Sequence, residues 1–173
     1  MRVLIVYESM FGSTETIAKA IAEGMAPAVG AEVVNVDDAP EELSGFDLLV
    51  VGGPTHVHGM TRPSTRKGAE KQAPGGVRSR RLGVREWLAA LEPPPAALTA
   101  AVFDTRLDKP RWLTGSAAKG AAKALKRRHI RLAAAPESFY VTTGTPPELA
   151  DGESARARGW GTTLATHMTA HVR

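Results

Sequence analysis

The opening of the chain constrains its fold more than any other stretch. Arg2–Tyr7 (RVLIVY) is an apolar strand run that empties directly into Glu8-Ser9-Met10-Phe11-Gly12-Ser13-Thr14, and a helical pattern starts at Glu15. A buried strand that delivers a Ser/Gly/Thr loop onto a helix start builds an anion site. The loop amides and first helical N–H groups lack partners of their own and converge with the positive end of the helix dipole. Ser9, Ser13 and Thr14 add three hydroxyls, and Gly12 permits a tight turn and close approach of a ligand. An ordinary helix cap needs one hydroxyl, so three plus a glycine point to a phosphate loop.

Strand-like and helical segments alternate through the rest of the chain. Glu32–Val36 reads as a second strand, Ala39–Ser44 as a short acidic helix or turn, and Phe46–Gly53 as a strand apolar nearly throughout, as when both faces are covered. Pro54–Leu82 reads as a long loop, and Gly83–Leu91 as a helix stopped by three prolines. Leu98–Phe103 is a fourth strand ending at Asp104-Thr105-Arg106. Leu113–Arg128 is a helix, Glu137–Thr142 a fifth strand, Thr143–Pro147 a Gly/Pro turn, and Glu148–His171 a final helical region. This alternation predicts an α/β fold, a doubly wound five-stranded parallel sheet, with ligands at the strand C-termini where strand order reverses. No repeat or linker divides the chain, so one domain over residues 1–173, with an extended basic loop at about 60–82, is expected.

Composition narrows the chemistry. The chain has no cysteine, which excludes disulfides, thiolate catalysis and cysteine-ligated metal centres. No apolar run reaches membrane-spanning length and no secretory h-region opens the chain, so a cytoplasmic protein is expected. The net charge of +4 is local: Thr61–Glu86 carries +6 and the remainder −2. That segment is either a steering patch for an anionic partner or a solvated loop. It has no aromatic before Trp87 and no nucleic-acid motif, which argues against nucleic-acid binding. Hydrolase chemistry is unsupported too: there is no G-x-S-x-G elbow, and Gly115–Gly120 lacks the spacing of a nucleotide-binding P-loop.

Taken together, the motifs resemble those of the flavodoxin family. Ser9-Met10-Phe11-Gly12-Ser13-Thr14 is similar to its FMN-phosphate loop. Gly52-Gly53-Pro54-Thr55-His56-Val57-His58-Gly59 is similar to its loop against the flavin ring, and Phe103-Asp104-Thr105-Arg106 to the segment closing the ring's other side. The resemblance implies a flavodoxin-like three-layer sandwich with strand order 2-1-3-4-5 and FMN as cofactor. It implies cofactor contacts from Ser9, Met10, Phe11, Gly12, Ser13, Thr14, Pro54, Thr55, His56, Val57, His58, Gly59, Asp104, Thr105 and Arg106, and assigns no catalytic residue. The chain departs from the family's electron carriers in three ways: no Tyr or Trp in the two ring loops, a longer Met60–Leu82 connection, and a basic charge.

Those departures shape the functional expectation. His56 or His58 would stack on the ring in place of Tyr or Trp, or Trp112 would reach over. A metal at the two histidines is disfavoured because no acidic residue flanks them. Arg62 and Arg106 would flank the ring and stabilise a reduced, anionic flavin. This points to an FMN-dependent oxidoreductase or electron-transfer protein, with two-electron reduction of a quinone-type acceptor, over a low-potential shuttle. Arg62, Arg66 and Lys67 would attract NAD(P)H or an acidic redox partner. The alternative from another class is a non-enzymatic binding or regulatory module of the same fold that holds flavin weakly or not at all.

Overall fold

The computed structural model describes residues 1–170. Its strands are β1 (Val3–Tyr7), β2 (Ala31–Asn35), β3 (Leu48–Pro54), β4 (Thr99–Leu107), β5 (Arg131–Leu132) and β6 (Glu137–Val141). Its helices are α1 (Ser13–Met25), α2 (Pro63–Lys71), α3 (Val84–Ala90), α4 (Arg111–Thr114), α5 (Ala117–Arg127) and α6 (Glu153–Ala170). All strand pairings are parallel, in the order β2-β1-β3-β4-β5, and β6 pairs the C-terminal half of β4. The expected doubly wound sheet with order 2-1-3-4-5 is therefore present, its fifth position divided between β5 and β6.

Alternation along the strands builds two cores. Leu4, Val6, Leu49, Val51 and Val102 face α3 and α5, meeting Trp87, Leu88, Leu91, Ala121 and Leu125. Val3, Ile5, Leu48, Val50 and Phe103 face α1 and α6, meeting Ile17, Ile21, Met25, Ala157 and Leu164. Every residue of β1 is buried, so both faces of the strand are covered, which accounts for a run with no polar alternation. Trp87, Leu91 and Phe139 are core residues, whereas Tyr140 is only partly buried.

The second core depends on close backbone approach. A Cβ on Gly161 would run into the Ile21 carbonyl of α1, and one on Gly24 into the Arg158 carbonyl of α6. The two helices therefore touch backbone to backbone.

Several element boundaries differ from the sequence reading. The Pro54–Leu82 segment contains α2, a helix with Pro63 in its first turn, followed by Ala69 and Arg66 as its buried residues. Its small, charged composition hid a helix that buries only one narrow stripe. The fourth strand runs on to Leu107, so Asp104, Thr105 and Arg106 lie within it, each paired to β6. The Ala39–Ser44 helix does not form; a single 3-10 turn at Val36–Asp38 precedes it, capped by the Asn35 side chain accepting from the Asp37 amide at 3.0 Å. Gly115, at φ 73°, splits the expected Leu113–Arg128 helix into α4 and α5. His171, placed in the final helical region, lies outside the described residues.

A side chain at Gly161 cannot be accommodated by a rotamer change, because what it meets is backbone. Gly161→Ala is expected to cost at least about 2 kcal/mol through overpacking. Chemical denaturation measures it, and a variant as stable as the parent would contradict the α1–α6 contact.

Candidate functional site

The C-terminal ends of β1, β3 and β4 lie side by side, with Tyr7 opposite Gly52 and Pro54 opposite Thr105. The chain crosses from β1 to β2 on one side and to β3 on the other, so this is where strand order reverses, and a cavity of about 540 Å³ opens there. Its walls come from four segments: the loop after β1, the loop after β3, the end of β4, and the turn after β6. A face of α2 completes it.

The first loop is shaped as its sequence suggests. Gly12 takes φ 103°, a left-handed conformation that favours glycine, and leads into α1. The Ser9 hydroxyl oxygen accepts the Gly12 amide at 3.0 Å, which fixes the turn. The first intrahelical bond runs from the Thr16 amide to the Gly12 carbonyl at 3.0 Å, so the amides ahead of Thr16 precede the helix's own acceptors. Thr14 and Thr105 share a hydrogen bond between hydroxyls at 2.7 Å, tying α1 to β4 on the cavity wall. Glu15 in the same first turn is occupied by Lys19 at 2.6 Å and Arg78 at 3.7 Å.

The loop after β3 makes a tight reversal. His56 and Gly59 exchange backbone hydrogen bonds of 2.8 and 3.2 Å, with Val57 (φ 42°) and His58 (φ 71°) at the apex. Both φ values are left-handed, the signature of a type I′ hairpin turn. For a β-branched residue this conformation is strained, and Val57 is also 79% exposed. Burial, with nearby Arg66 adding to it, holds the His56 imidazole below the usual histidine range.

Of the fifteen residues expected to meet the cofactor, eleven line this cavity: Ser9, Met10, Phe11, Ser13, Thr14, Pro54, Thr55, His56, Val57, Thr105 and Arg106. Four do not. Gly12 borders a separate depression beside Glu15 and Arg78, and His58 and Gly59 turn into a neighbouring groove. Asp104 is fully buried behind the wall, where its Oδ2 accepts the Ser116 hydroxyl at 2.6 Å and the Ala118 amide at 3.0 Å. It is a helix cap for α5 rather than a wall residue.

Three further expectations need correction. Trp112 does not reach over the cavity; it is 83% exposed and lines the neighbouring groove. Arg62 lies in that groove as well, so Arg106 is the arginine on the cavity wall. Arg66 is not free to attract an anion: it is buried, its Nη1 donating to Thr61 Oγ1 at 3.0 Å and to Glu86 at 3.1 Å.

Sequence reasoning missed Thr65, Gly68, Ala69 and Gln72 of α2, because the helix itself went unread. It also missed Leu107 and the Val141–Gly144 stretch with Pro147. The Gly/Pro turn after the last strand sits at a strand C-terminus, and that position was the available signal.

Behind the first loop lies a buried carboxylate. Glu8 is 1% exposed; one oxygen accepts the Thr61 hydroxyl, and the other accepts the Val84 amide at 2.9 Å. Burial raises its pKa above the ordinary carboxylate range, opposed by those hydrogen bonds and by Arg66.

The cavity's donor set suits a phosphorylated ring system. Hydroxyls from Ser9, Ser13, Thr14 and Thr105 gather at the α1 end, while Phe11, Pro54, Val57, Leu107 and Val141 supply apolar wall. Arg106 brings a cation; its Nη1 is held by the Lys109 carbonyl and the Thr114 hydroxyl, both at 2.8 Å, and its buried Nε has no partner among the described residues. No carboxylate lines the cavity. Residues 5–73 match the flavodoxin family model. Among solved structures, a flavodoxin from the domain Archaea superposes with TM-score 0.65 at 18% identity, covering 98% of this chain and 99% of that one. Flavodoxin 1 from Bacillus cereus gives 0.65 at 16% identity, over 96% and 99%. Rubredoxin oxygen:oxidoreductase from Desulfovibrio gigas gives 0.65 at 19% identity, over 99% of this chain but 37% of that one.

Glu8 yields a signed pH prediction. A carboxyl with a raised folded pKa binds its proton more tightly in the folded state, so stability falls as pH rises from the unfolded value, about 4.3, through the folded one. Glu8→Gln removes that slope. The variant is expected to gain on the parent as pH increases from about 4.5 to about 8 in chemical denaturation. Parallel stability profiles would refute a raised Glu8 pKa.

Proposed function

We propose that this chain, a flavodoxin-like protein of a family whose members bind FMN, holds FMN in the strand-end cavity and works as an electron-transfer flavoprotein. The observation that carries the reading is the composition of the wall: a hydroxyl cluster at a helix start, an apolar middle, one buried arginine and no carboxylate. Bound there, FMN supplies reversible uptake of one or two electrons.

The residues divide the work by position. Ser13 and Thr14, with the amides ahead of Thr16, receive the phosphate. Hydrogen bonds to a charged group contribute about 1.5–3 kcal/mol each, so this end dominates affinity. Phe11, His56 and Val57 bracket the ring by apolar and aromatic contact. His56, held neutral by burial, adds no charge there near pH 7. Arg106 places a fixed cation beside the ring and so favours a reduced, negatively charged flavin. A stabilisation of about 1.4 kcal/mol corresponds to roughly 30 mV for a two-electron couple. This electrostatic bias supports two-electron chemistry, and the apolar mouth suits a flat acceptor of the quinone class.

FMN titrated into apoprotein should bind with quenching of flavin fluorescence, and Ser13→Ala should weaken it by about tenfold or more. Protein that is colourless as isolated and takes up no FMN at micromolar concentrations would end the proposal. Anaerobic potentiometry tests the cation separately. Arg106→Leu should lower the midpoint by about 30–60 mV, and Arg106→Lys, which keeps the charge, should restore most of it. Equal potentials in all three proteins would remove Arg106 from the redox argument.

A further inference from the structure

We propose that the groove beside the cavity mouth is the docking surface for an acidic one-electron carrier protein. The electron exchange rests on the FMN reading above; the docking does not. The groove, about 600 Å³, is lined by Arg62, Arg85, Arg111, Lys119 and Lys123, with no carboxylate among its lining residues. None of the five forms an ion pair among the described residues. Arg85 donates only to the Thr61 and Met60 carbonyls and Arg111 only to the Ser138 hydroxyl. Several basic residues elsewhere are paired: Arg66 with Glu86, Arg78 with Glu15 and Arg81 with Asp38. The five cations of this groove converge on one surface with no carboxylate among them.

Three observations fix the kind of partner. First, Trp112 and Val57, 83% and 79% exposed, give the basic rim an apolar anchor, and Trp with Arg is the pairing enriched at protein interface hot spots. Second, Val57 lines both groove and cavity, so an occupant of the groove abuts the cofactor mouth. The strained turn that presents it is held in place, because His58 bridges to Gly115 at the α4–α5 junction. Strain of this kind persists where the surroundings over-determine it, and it concentrates at functional sites. Third, the groove lacks a phosphate cradle. The α5 N-terminus opens onto it, yet its amides are already taken: Ala117 by the Thr55 hydroxyl at 2.9 Å, Ala118 by Asp104 at 3.0 Å, Lys119 by the Ser116 hydroxyl at 3.2 Å. Five dispersed side-chain cations without such a cradle match the spread charge of an acidic protein surface better than the clustered phosphates of a dinucleotide. Each encounter passes one electron from the reduced partner's centre to the flavin. Two encounters complete the reduction, with protons taken from solvent.

The test uses an acidic [2Fe–2S] ferredoxin as probe, with basic cytochrome c and NADPH as comparisons. Binding is followed by calorimetry, and FMN affinity is measured separately on the same proteins. Ferredoxin should bind at about 20 mM salt and lose about tenfold or more of its affinity at about 200 mM. The triple variant Arg62→Glu, Lys119→Glu, Lys123→Glu should lose at least as much while keeping parental FMN affinity and melting temperature, and cytochrome c should not bind the parent. No ferredoxin binding at low salt, or binding indifferent to the triple variant, overturns the proposal. NADPH binding that the triple variant abolishes would also overturn it, in favour of a nucleotide site. Ferredoxin docking to a protein that takes up no FMN would leave the surface standing and remove only the cofactor reading.

Discussion

The cavity exists because a carboxylate is buried beneath it. Glu8 stands one residue past β1 and holds the Thr61 hydroxyl with one oxygen and the Val84 amide with the other. These contacts fasten both ends of the excursion that carries α2 to the end of the sheet. Arg66 and Glu86 extend the same network, the arginine reaching Thr61 and the glutamate accepting the Gly83 amide at 3.1 Å. Burying a carboxylate is costly unless its oxygens are satisfied, and here both oxygens are. Without that anchor α2 would have little reason to cover the site, since it buries only Arg66 and Ala69.

Charge is sorted by position across this end of the molecule. Part of the most basic stretch of sequence is spent on holding itself down. Asp37 accepts the backbone amides of Arg80, Arg81 and Leu82 at 2.6, 3.0 and 2.8 Å, and Asp38 pairs with Arg81. The cations of the groove come from its edges, Arg62 and Arg85, and from α4 and α5, far away in sequence. Local charge counting finds only part of this set for that reason: convergence and pairing are properties of the fold.

Much of the architecture was readable in the chain. Both-face burial of β1 and β3 requires an unbroken apolar run, and such runs are visible without coordinates. The turn after β1 was legible because its geometry is local, set by Gly12 and Ser9 within four residues. What the sequence hid was non-local. Asp104 reads as a loop residue near a ring, yet β4 continues through it because β6 pairs alongside, and its carboxylate then reaches α5. Trp112 and Arg62 read as cavity residues because they neighbour cavity segments, but the turn at Gly59 and the break at Gly115 direct them to the next groove. The helix α2 escaped notice because its buried stripe is two residues wide.

The contact between α1 and α6 bears on how the chain is made. The surface that α1 packs against is encoded some 130 residues after it, between Gly152 and Ala170. Until that segment has been translated, the flank of α1 around Ile21 and Gly24 lacks its partner beside the half-clad sheet. Local contacts cannot hide it, since the partner backbone supplies the fit. Completion of this layer must therefore be a late event in biogenesis. Over the interval between the two helices the nascent polypeptide carries an adhesive flank, the condition under which chaperone occupancy is most useful.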